Sequence, residues 1–249
     1  MDPREYELMF QVEDKHWWYR GMGAIMRALL NQRYESGTRL NILDAGCGSG
    51  GGISNLLTDY GSVTGVDIEP IALAYCQKRS LSQIARASVI RLPFANAQFD
   101  IVASFDVLYE RAVADDLSAL CEFMRVLVPG GRLFLRLPAY DWLRGQHDRT
   151  THARKRYTRE EVKRLLTQSG FIVERLSFAN MFLFPIAALK RLSERLFFAP
   201  GARSDLELNA GSLNGVLRTV LTSEAPFVAG AGLPFGLSIV AVGRKIWAR

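Results

Sequence analysis

Short apolar runs alternate with amphipathic stretches through the middle of the chain. The apolar runs predict strands, and they lie at 41–44, 63–67, 88–90, 99–105, 132–137 and 171–178. The stretches with apolar residues three and four positions apart predict helices, and they lie at 71–80, 112–127 and 158–169. Strands that alternate with helices of this length are typical of parallel βαβ units. The pattern therefore predicts an α/β fold with a doubly wound, Rossmann-like sheet and helices on both faces.

Two flanking regions depart from this alternation. The first residues repeat apolar positions at helical spacing, and more than fifty residues separate the sixth predicted strand from a closing strand at 237–242. We expect one domain, because a chain of 249 residues can be built around a single α/β core. Its parts are an N-terminal helical cap (1–37), a core (38–178), a helical insertion or lid (179–233), and the closing strand with a tail (234–249).

Composition and charge restrict the class of protein. Hydrophobic residues make up 49% of the chain and charged residues 22%, which is ordinary for a globular protein. The first residues do not form a secretory signal, so we expect a cytoplasmic location. The three cysteines lack metal-type spacing, and we expect free thiols and no metal site. The longest apolar stretch, 178–189, is too short to span a membrane as a helix.

A glycine-rich turn follows the first predicted strand. Gly46, Gly48 and Gly51 have the spacing G-x-G-x-x-G, and Asp67 follows about twenty residues later, as in a nicotinamide dinucleotide site. The sequence thus leaves an NAD-type oxidoreductase open. Asp44 opposes that interpretation, because a carboxylate facing the turn would repel a pyrophosphate. S-adenosylmethionine (SAM) has no phosphate and carries an ammonium and a sulfonium, which a carboxylate attracts directly or through water.

Several motifs in a fixed order resemble the class I SAM-dependent methyltransferases. They are LDAGCGSG, VTGVDIEP, LPFANAQFDIVASFDVLYE and RVLVPGGRLFLRLPA, and the resemblance covers 40–178 and the closing strand. It implies a seven-stranded sheet with an antiparallel last strand, SAM as cofactor and S-adenosyl-L-homocysteine as product.

The resemblance also implies cofactor contacts. It assigns Asp44, Gly46 and Gly48 to the methionine portion, Asp67 to the ribose and Ile68 to the adenine. Ser88 stands where many relatives carry an acid that accepts from the adenine amino group, and Phe105 is explained equally well by packing at the end of a strand. The full cofactor set is Asp44, Ala45, Gly46, Cys47, Gly48, Asp67, Ile68, Ser88, Leu92 and Phe105.

Four residues are candidates for catalysis. Methyl transfer is an in-line displacement, in which a base is needed only when the acceptor must lose a proton. Tyr109 and Glu110 follow the fourth predicted strand, and relatives often carry histidine where this chain has Glu110. That carboxyl is either a base or a solvated acid at a helix start. His147, beside Asp148, and Tyr157 complete the candidate set.

The acceptor candidates lie in two segments. From 144 to 164 the chain has eight Lys or Arg and three acids, which indicates either an anion site with Arg154 and Arg156 or a solvated helix entry. Trp18 and Tyr19 fit an aromatic lid over the acceptor or ordinary packing.

The sequence therefore predicts a methyltransferase acting on a small-molecule or lipid-like acceptor, one with an anionic group in the sharper interpretation. Nucleic acid is disfavoured as acceptor, because there is no recognition motif or long basic stripe. The insertion 179–233 also fits a hydrophobic substrate channel, peripheral membrane contact, or an amphipathic helix packed on the core. A SAM-binding accessory protein without turnover is the alternative outside enzymes. Residues 226–234, rich in glycine and proline, predict a loose hinge.

Overall fold

The computed structural model describes residues 1–196 and 211–246, without the side chains of 146, 147 and 193–196. The strands are β1 Leu40–Ala45, β2 Gly61–Asp67, β3 Ile84–Arg86, β4 Phe99–Phe105, β5 Leu127–Pro138, β6 Phe171–Ala179 and β7 Ser238–Lys245. The helices are α1 Pro3–Val12, α2 Trp17–Asn31, α3 Gly51–Asn55, α4 Pro70–Lys78, α5 Asp116–Val126, α6 Gln146–Thr150, α7 Arg159–Gln168, α8 Phe184–Leu196, α9 Asn214–Thr222 and α10 Ala225–Ala229.

The strands form one seven-stranded sheet in the order β3-β2-β1-β4-β5-β7-β6. The first five strands pair in parallel, and β7 runs antiparallel to both β5 and β6. The doubly wound sheet with an antiparallel last strand is thus confirmed. Chain order reverses between β1 and β4, and in such sheets a ligand binds in the crevice outside the carboxyl ends of the strands at that point.

The third strand lies earlier than the apolar pattern predicts. Strand β3 ends at Arg86, which pairs with Asp67, the last residue of β2. Residues after Arg86 therefore extend beyond β2 and have no β2 residue to pair with. Ser88 instead forms an isolated bridge with Arg91. The prediction of a strand at 88–90 was wrong, and Ser88 lies beyond the carboxyl end of the strand.

Local caps fix where the helices begin. The Asp115 carboxylate accepts from the backbone N–H groups at the start of α5, and Thr158 does so for α7. The Nδ1 atom of His16 accepts from the backbone N–H of Trp18 at the start of α2. This cap ends the turn between α1 and α2 and sets the aromatic residues at the first turn of α2.

Helix α2 joins the N-terminal cap and the segment 211–233 to the sheet. Met22, Ile25, Met26, Leu29 and Leu30 of α2 are buried in the main core. Helices α9 and α10 pack against α2, and their Leu221 and Val228 are fully buried. The last part of the predicted lid is therefore core structure.

The hinge predicted at 226–234 begins within a helix. Proline in the first turn favours a helix start, and α10 runs from Ala225 to Ala229 with Ala225, Val228 and Ala229 buried. The predicted loose segment is therefore ordered where it overlaps α10. The rest of the predicted lid divides into α8, which is described, and 197–210, which lies outside the described residues.

In the part of the chain that the structure describes, every helix is too short or too polar to cross a membrane.

Candidate active site

Two glycines shape the turn after β1. Gly46 has φ +89° and Gly48 has φ +54°, in the left-handed region that side chains disfavour. A Cβ atom at Gly46 would overlap the Val107 side chain, so this turn lies directly against the loop that follows β4. The Gly48 N–H donates to Oδ2 of Asp67 over 2.9 Å. The ends of β1, β2 and β4 thus meet at one place.

Asp67 lies at the end of β2 with its carboxylate held in position. Its Oδ1 accepts from the Glu69 N–H over 3.0 Å, and only 8% of the residue is exposed. Burial raises its pKa, while the N–H donors of Glu69 and Gly48 act in the opposite direction. Two-point anchoring leaves lone pairs on both oxygens that can accept from ribose hydroxyls.

Asp44 is buried beneath the glycine turn. Its residue is 3% exposed, and a Cβ atom on Gly52 would lie 3.3 Å from its Oδ2. Burial and the nearby Asp67 carboxylate together raise its pKa to about 7, against the opposing effect of Arg136. Asp44 is absent from the described wall of the cavity, so its charge acts from behind the turn.

Three other predicted cofactor residues lie beside the cavity without lining it. The Ala45 carbonyl accepts from Ser104 Oγ over 3.1 Å. The Leu92 N–H donates to Glu122 over 2.7 Å. Cys47 Sγ is buried 3.9 Å from Cys76 Sγ. The structure gives these three residues roles in supporting the turn and the strand ends.

A cavity of about 590 Å³ opens at the carboxyl ends of the strands. We call it the central cavity. The residues predicted for cofactor, acceptor or catalysis that line it are Gly46, Gly48, Asp67, Ile68, Ser88, Phe105, Tyr109, Glu110, Trp18, Tyr19 and Arg156. The cavity therefore brings together residues that are up to 138 positions apart in the chain, from Trp18 to Arg156.

Aromatic residues at the start of α2 form one wall. The rings of Trp18 and Tyr19 meet edge to face with centroids 5.0 Å apart. Both residues are half-buried and line the central cavity. Two cavity residues of α1, Tyr6 and Met9, were not predicted, although their helical spacing of three could have indicated one shared face.

Tyr109 and Glu110 line the central cavity from the loop that follows β4. Tyr109 is 7% exposed, and burial, with the Asp106 and Glu110 carboxylates, raises its pKa, so the phenol stays protonated. Burial, with a smaller contribution from the carboxylates of Asp67, Glu69 and Asp106, raises the pKa of Glu110 to about 7. The N-terminal ammonium acts in the opposite direction. At neutral pH a carboxyl of this kind can accept or give up a proton.

The basic connection after β5 is mostly neutralised. Asp116 accepts from Arg154 Nη2 over 2.5 Å and from the Tyr157 hydroxyl over 3.1 Å. Lys155 Nζ lies 2.6 Å from the other Asp116 oxygen. Tyr157 is fully buried, and neither it nor Arg154 is among the described residues that line the central cavity. The structure therefore does not bring Tyr157 to a catalytic position or Arg154 to an anion site.

Arg156 does reach the cavity, but its guanidinium is already paired. Its Nε and Nη2 donate to the two oxygens of buried Asp148 over 2.7 and 2.9 Å. A fork engaged in this way has few donors left for an acceptor anion. The side chain of His147, the remaining catalytic candidate, lies outside the described residues.

Arg136 is a cavity residue that the sequence prediction missed. It lies on β5, is 8% exposed, and its Nε donates to Asp106 Oδ2 over 2.7 Å. The signal was present, because an arginine interrupts the apolar run of this strand. The motif residue Phe105 lines the cavity beside it, with its ring centroid 5.3 Å from the guanidinium carbon.

The far wall of the cavity is largely apolar. Leu183, just before α8, and Ile186 and Ala187 of α8 line it, and α9 contributes Leu217. The cationic side chain of Lys190 is at the same end. An apolar chain or ring would be removed from water here.

The charges at the glycine turn distinguish two cofactor classes. Gly46, Gly48, Asp67, Ile68 and Ser88 form this end, with the Asp67 carboxylate in the wall and the Asp44 carboxylate behind the turn. Helix α3 has only five residues, so its N-terminus offers a weak dipole for a pyrophosphate. The carboxylates at this end and the short helix therefore favour the cationic, phosphate-free SAM over a dinucleotide.

Comparisons with known proteins agree with this geometry. Residues 43–135 match the family model described as a methyltransferase domain. A Mycobacterium leprae phthiotriol/phenolphthiotriol dimycocerosates methyltransferase is 34% identical over 43% of this chain and 43% of its own length. An Enterobacter lignolyticus malonyl-[acyl-carrier protein] O-methyltransferase is 34% identical over 50% of this chain and 47% of its own length. The chain thus matches less than half the length of each of these two relatives.

Solved structures share the fold. The crystal structure of a SAM-dependent methyltransferase from Methanosarcina mazei matches 88% of this chain and 98% of its own chain, with a TM-score of 0.58 and 17% identity. This likeness concerns the architecture alone. With the matched domain and the residues at the ends of β1 and β2, it leads to one conclusion: residues 43–135 carry a methyltransferase domain, within a fold shared with SAM-dependent methyltransferases.

Proposed function

We propose that this protein transfers a methyl group from SAM to a small-molecule or lipid-like acceptor bound in the central cavity. The observation that carries the proposal is the continuity of the cavity. The same space reaches Asp67 and Gly48 at one end and Leu183 and Leu217 at the other. A cofactor and an apolar acceptor can therefore share one cavity and be aligned for the in-line displacement.

The cofactor end would hold SAM through few polar groups. Asp67 accepts from the ribose hydroxyls, Ile68 packs on the adenine, and the Ser88 hydroxyl accepts from the adenine amino group. Gly46 and Gly48 allow the methionine portion to approach the backbone. The buried Asp44 carboxylate favours the positive charges of SAM through the local field. SAM supplies the activated methyl group.

Glu110 is the proton acceptor in this proposal. An acceptor hydroxyl or acidic carbon must lose a proton as its bond to the methyl group forms, and a base with a pKa near the working pH serves this step best. The pKa of Glu110 is about 7, because burial disfavours its charged form. Tyr109, which stays protonated, donates a hydrogen bond that orients the acceptor.

The acceptor class follows from the far wall. Leu183, Ile186, Ala187 and Leu217 provide apolar contact. The names of the two relatives, one for phthiotriol and phenolphthiotriol dimycocerosates and one for malonyl-[acyl-carrier protein], support a small-molecule or lipid-like acceptor.

The exposed side of α8 supports access from a lipid surface. Ile186, Leu189 and Leu192 are more than half exposed, and Ile186 also lines the cavity. With Lys190 beside them, these side chains suit insertion into an anionic bilayer. Flotation with phosphatidylglycerol vesicles should recover the wild type and lose Leu189→Gln. Ile172→Gln, an exposed residue on β6, is the matched control. Equal recovery of all three proteins would contradict this contact.

The activity is tested by incubating the protein with methyl-labelled SAM and an extract of the cells that produce it. Formation of S-adenosyl-L-homocysteine together with a labelled compound that partitions into organic solvent is the expected result. A protein that binds SAM and leaves every extract component unlabelled would instead be the accessory binding protein. Loss of SAM binding would contradict both.

A further inference from the structure

Arg136 is a buried cation inside an otherwise apolar part of β5. The strand pairs it with Val240 of β7, and 92% of the residue is removed from solvent. A buried guanidinium is unfavourable unless its charge and donors are matched. Asp106 provides part of this match through Arg136 Nε.

Neighbouring groups fix the plane of this guanidinium. Its central carbon lies 4.8 Å from the ring centroid of Trp18 and 5.3 Å from that of Phe105. Aromatic faces attract a cation in this range. Asp106 has φ +58°, and its N–H donates to the Arg136 carbonyl over 2.9 Å. Backbone and side chain therefore both connect Asp106 to Arg136.

The terminal nitrogens of Arg136 remain available. Among the described residues no acceptor lies within hydrogen-bond range of Nη1 or Nη2, although the residue lines the central cavity. The fork of Arg156 differs, because Asp148 engages it from two sides. The fork of Arg132, on the same strand, is likewise engaged by Glu174 over 2.8 and 3.3 Å.

We propose that Arg136 binds a carboxylate or phosphate group inside the central cavity, a role that rests on the proposed function. A planar fork with two unused donors matches two oxygens of such an anion, and its aromatic neighbours hold it ready for that contact. The anion has two sources, the methionyl carboxylate of SAM and an acidic head group on the acceptor. Arg136 lowers the pKa of Asp44 beneath the glycine turn, so its charge acts close to the cofactor end as well as on the remainder of the cavity.

Two pairs of probes distinguish the sources by titration calorimetry. SAM and decarboxylated SAM differ by the methionyl carboxylate. Dodecanoate and dodecanol, added to protein saturated with S-adenosyl-L-homocysteine, differ by an acceptor carboxylate. Arg136→Gln should weaken the charged member of one pair by about ten- to hundredfold and leave the uncharged member unchanged. The pair that responds identifies the source of the anion.

Arg132→Gln is the matched control, since it removes a paired arginine from the same strand and does not line the described cavity. It should bind all four probes as the wild type does. If Arg136→Gln fails to fold in a thermal melt, Arg136→Lys takes its place. Lysine keeps the charge but lacks the fork, so the charged probe should still bind several-fold more weakly.

Unchanged affinity for both charged probes, or equal weakening of the charged and uncharged members, would overturn the proposal. Failure of the wild type to bind either twelve-carbon probe would instead contradict the lipid-like acceptor. In that case the two SAM probes alone still decide the role of Arg136.

Discussion

The two ends of the central cavity are built in different ways. The cofactor end comes mainly from 44–88, where consecutive strand ends and turns deliver Gly46, Gly48, Asp67 and Ser88 to one edge of the sheet. The acceptor end is assembled from α2, β5, α8 and α9, which are far apart in the chain. The polar, acidic end is therefore built from neighbouring segments of the chain, and the apolar end beside it is built from segments that are far apart. The contrast suggests that substitutions can affect one end and spare the other.

Glu110 is the proposed proton acceptor in the central cavity, and its replacement should have the largest effect. Glu110→Gln removes the proton acceptor, so kcat should fall by about 10²- to 10⁴-fold. The affinity for SAM should stay within a few-fold. In the wild type, log kcat should rise with pH and level off above about 7, because the base must be deprotonated. The glutamine variant should show a flat profile. Steady-state rates from pH 5.5 to 8.5 provide the measurement, and an unchanged kcat would assign the proton step to another group.

Asp67→Ala should damage the cofactor end alone. It removes an acceptor for the ribose hydroxyls and the partner of the Gly48 N–H, at about 1–3 kcal/mol, or roughly five- to 150-fold in the Kd for SAM. Asp59→Ala, an acid paired with Arg27 outside the cavity, is the control. Calorimetric titration in folded protein measures both. Equal affinities would contradict the assignment of Asp67 to the ribose.

The buried Asp44 should make SAM binding depend on pH. Its pKa of about 7 exceeds the ordinary value, so the free protein holds the proton below that pH. A cationic ligand favours the ionised form, so SAM binding should release a proton. The affinity should rise by up to about tenfold per pH unit below 7 and level off above it. Titrations in two buffers of different ionisation enthalpy report the proton. Asp44→Asn should remove the dependence, and proton uptake on binding would contradict the sign.

The same shift has a consequence for the free protein. A carboxyl with a raised pKa in the folded state stabilises the fold below the pKa of the unfolded chain. That contribution is lost as pH rises through about 7. Asp44→Asn should therefore unfold at a higher temperature than the wild type at pH 8. A lower melting temperature for Asp44→Asn than for the wild type would show that Arg136 already compensates the ionised Asp44 carboxylate.

The smallest effect concerns the scaffold of the acceptor end. A Cβ atom on Gly21 would lie 2.8 Å from Cβ of Leu221, so Gly21→Ala should separate α9 from α2 and destabilise the protein by about 1–3 kcal/mol. In the same helix, a Cβ atom on Gly23 has free space, and Gly23→Ala should be neutral or stabilising by up to about 1 kcal/mol. Denaturant unfolding measures both, and neither should alter the Kd for SAM. Similar stabilities would contradict the packing of α9 on α2.

Most of the cofactor end could be predicted because its signals are local. A glycine at a positive φ, an acid at the end of a strand and the alternation of strands with helices each leave a pattern within a few residues. The third strand was misplaced because two neighbouring segments, 84–86 and 88–90, each contain two apolar residues and both suit a strand. Only pairing with β2 selects between them.

The charged candidates could not be ranked in this way. Arg154 and Arg156 have the same local charge pattern whether they face a ligand or an acid, and only the fold brings Asp116 and Asp148 against them. Arg136, which looks like an anomaly in a strand, is the arginine whose fork remains open to the cavity. The partners that the fold places against each side chain, Asp148 from the same connection and Asp116 from α5, decide which arginines are paired.

The sequence by itself determined the fold class and predicted SAM as cofactor together with most residues at one end of the cavity, because backbone conformation and periodic burial depend on nearby residues. The tertiary structure alone decided which residues share the acceptor end, that part of 211–233 packs on the core, and that the Arg136 fork has no acceptor among the described residues. It also set the raised pKa values of Asp44 and Glu110. Burial and charge pairing depend on groups brought together from across the chain, and a linear pattern does not record those encounters.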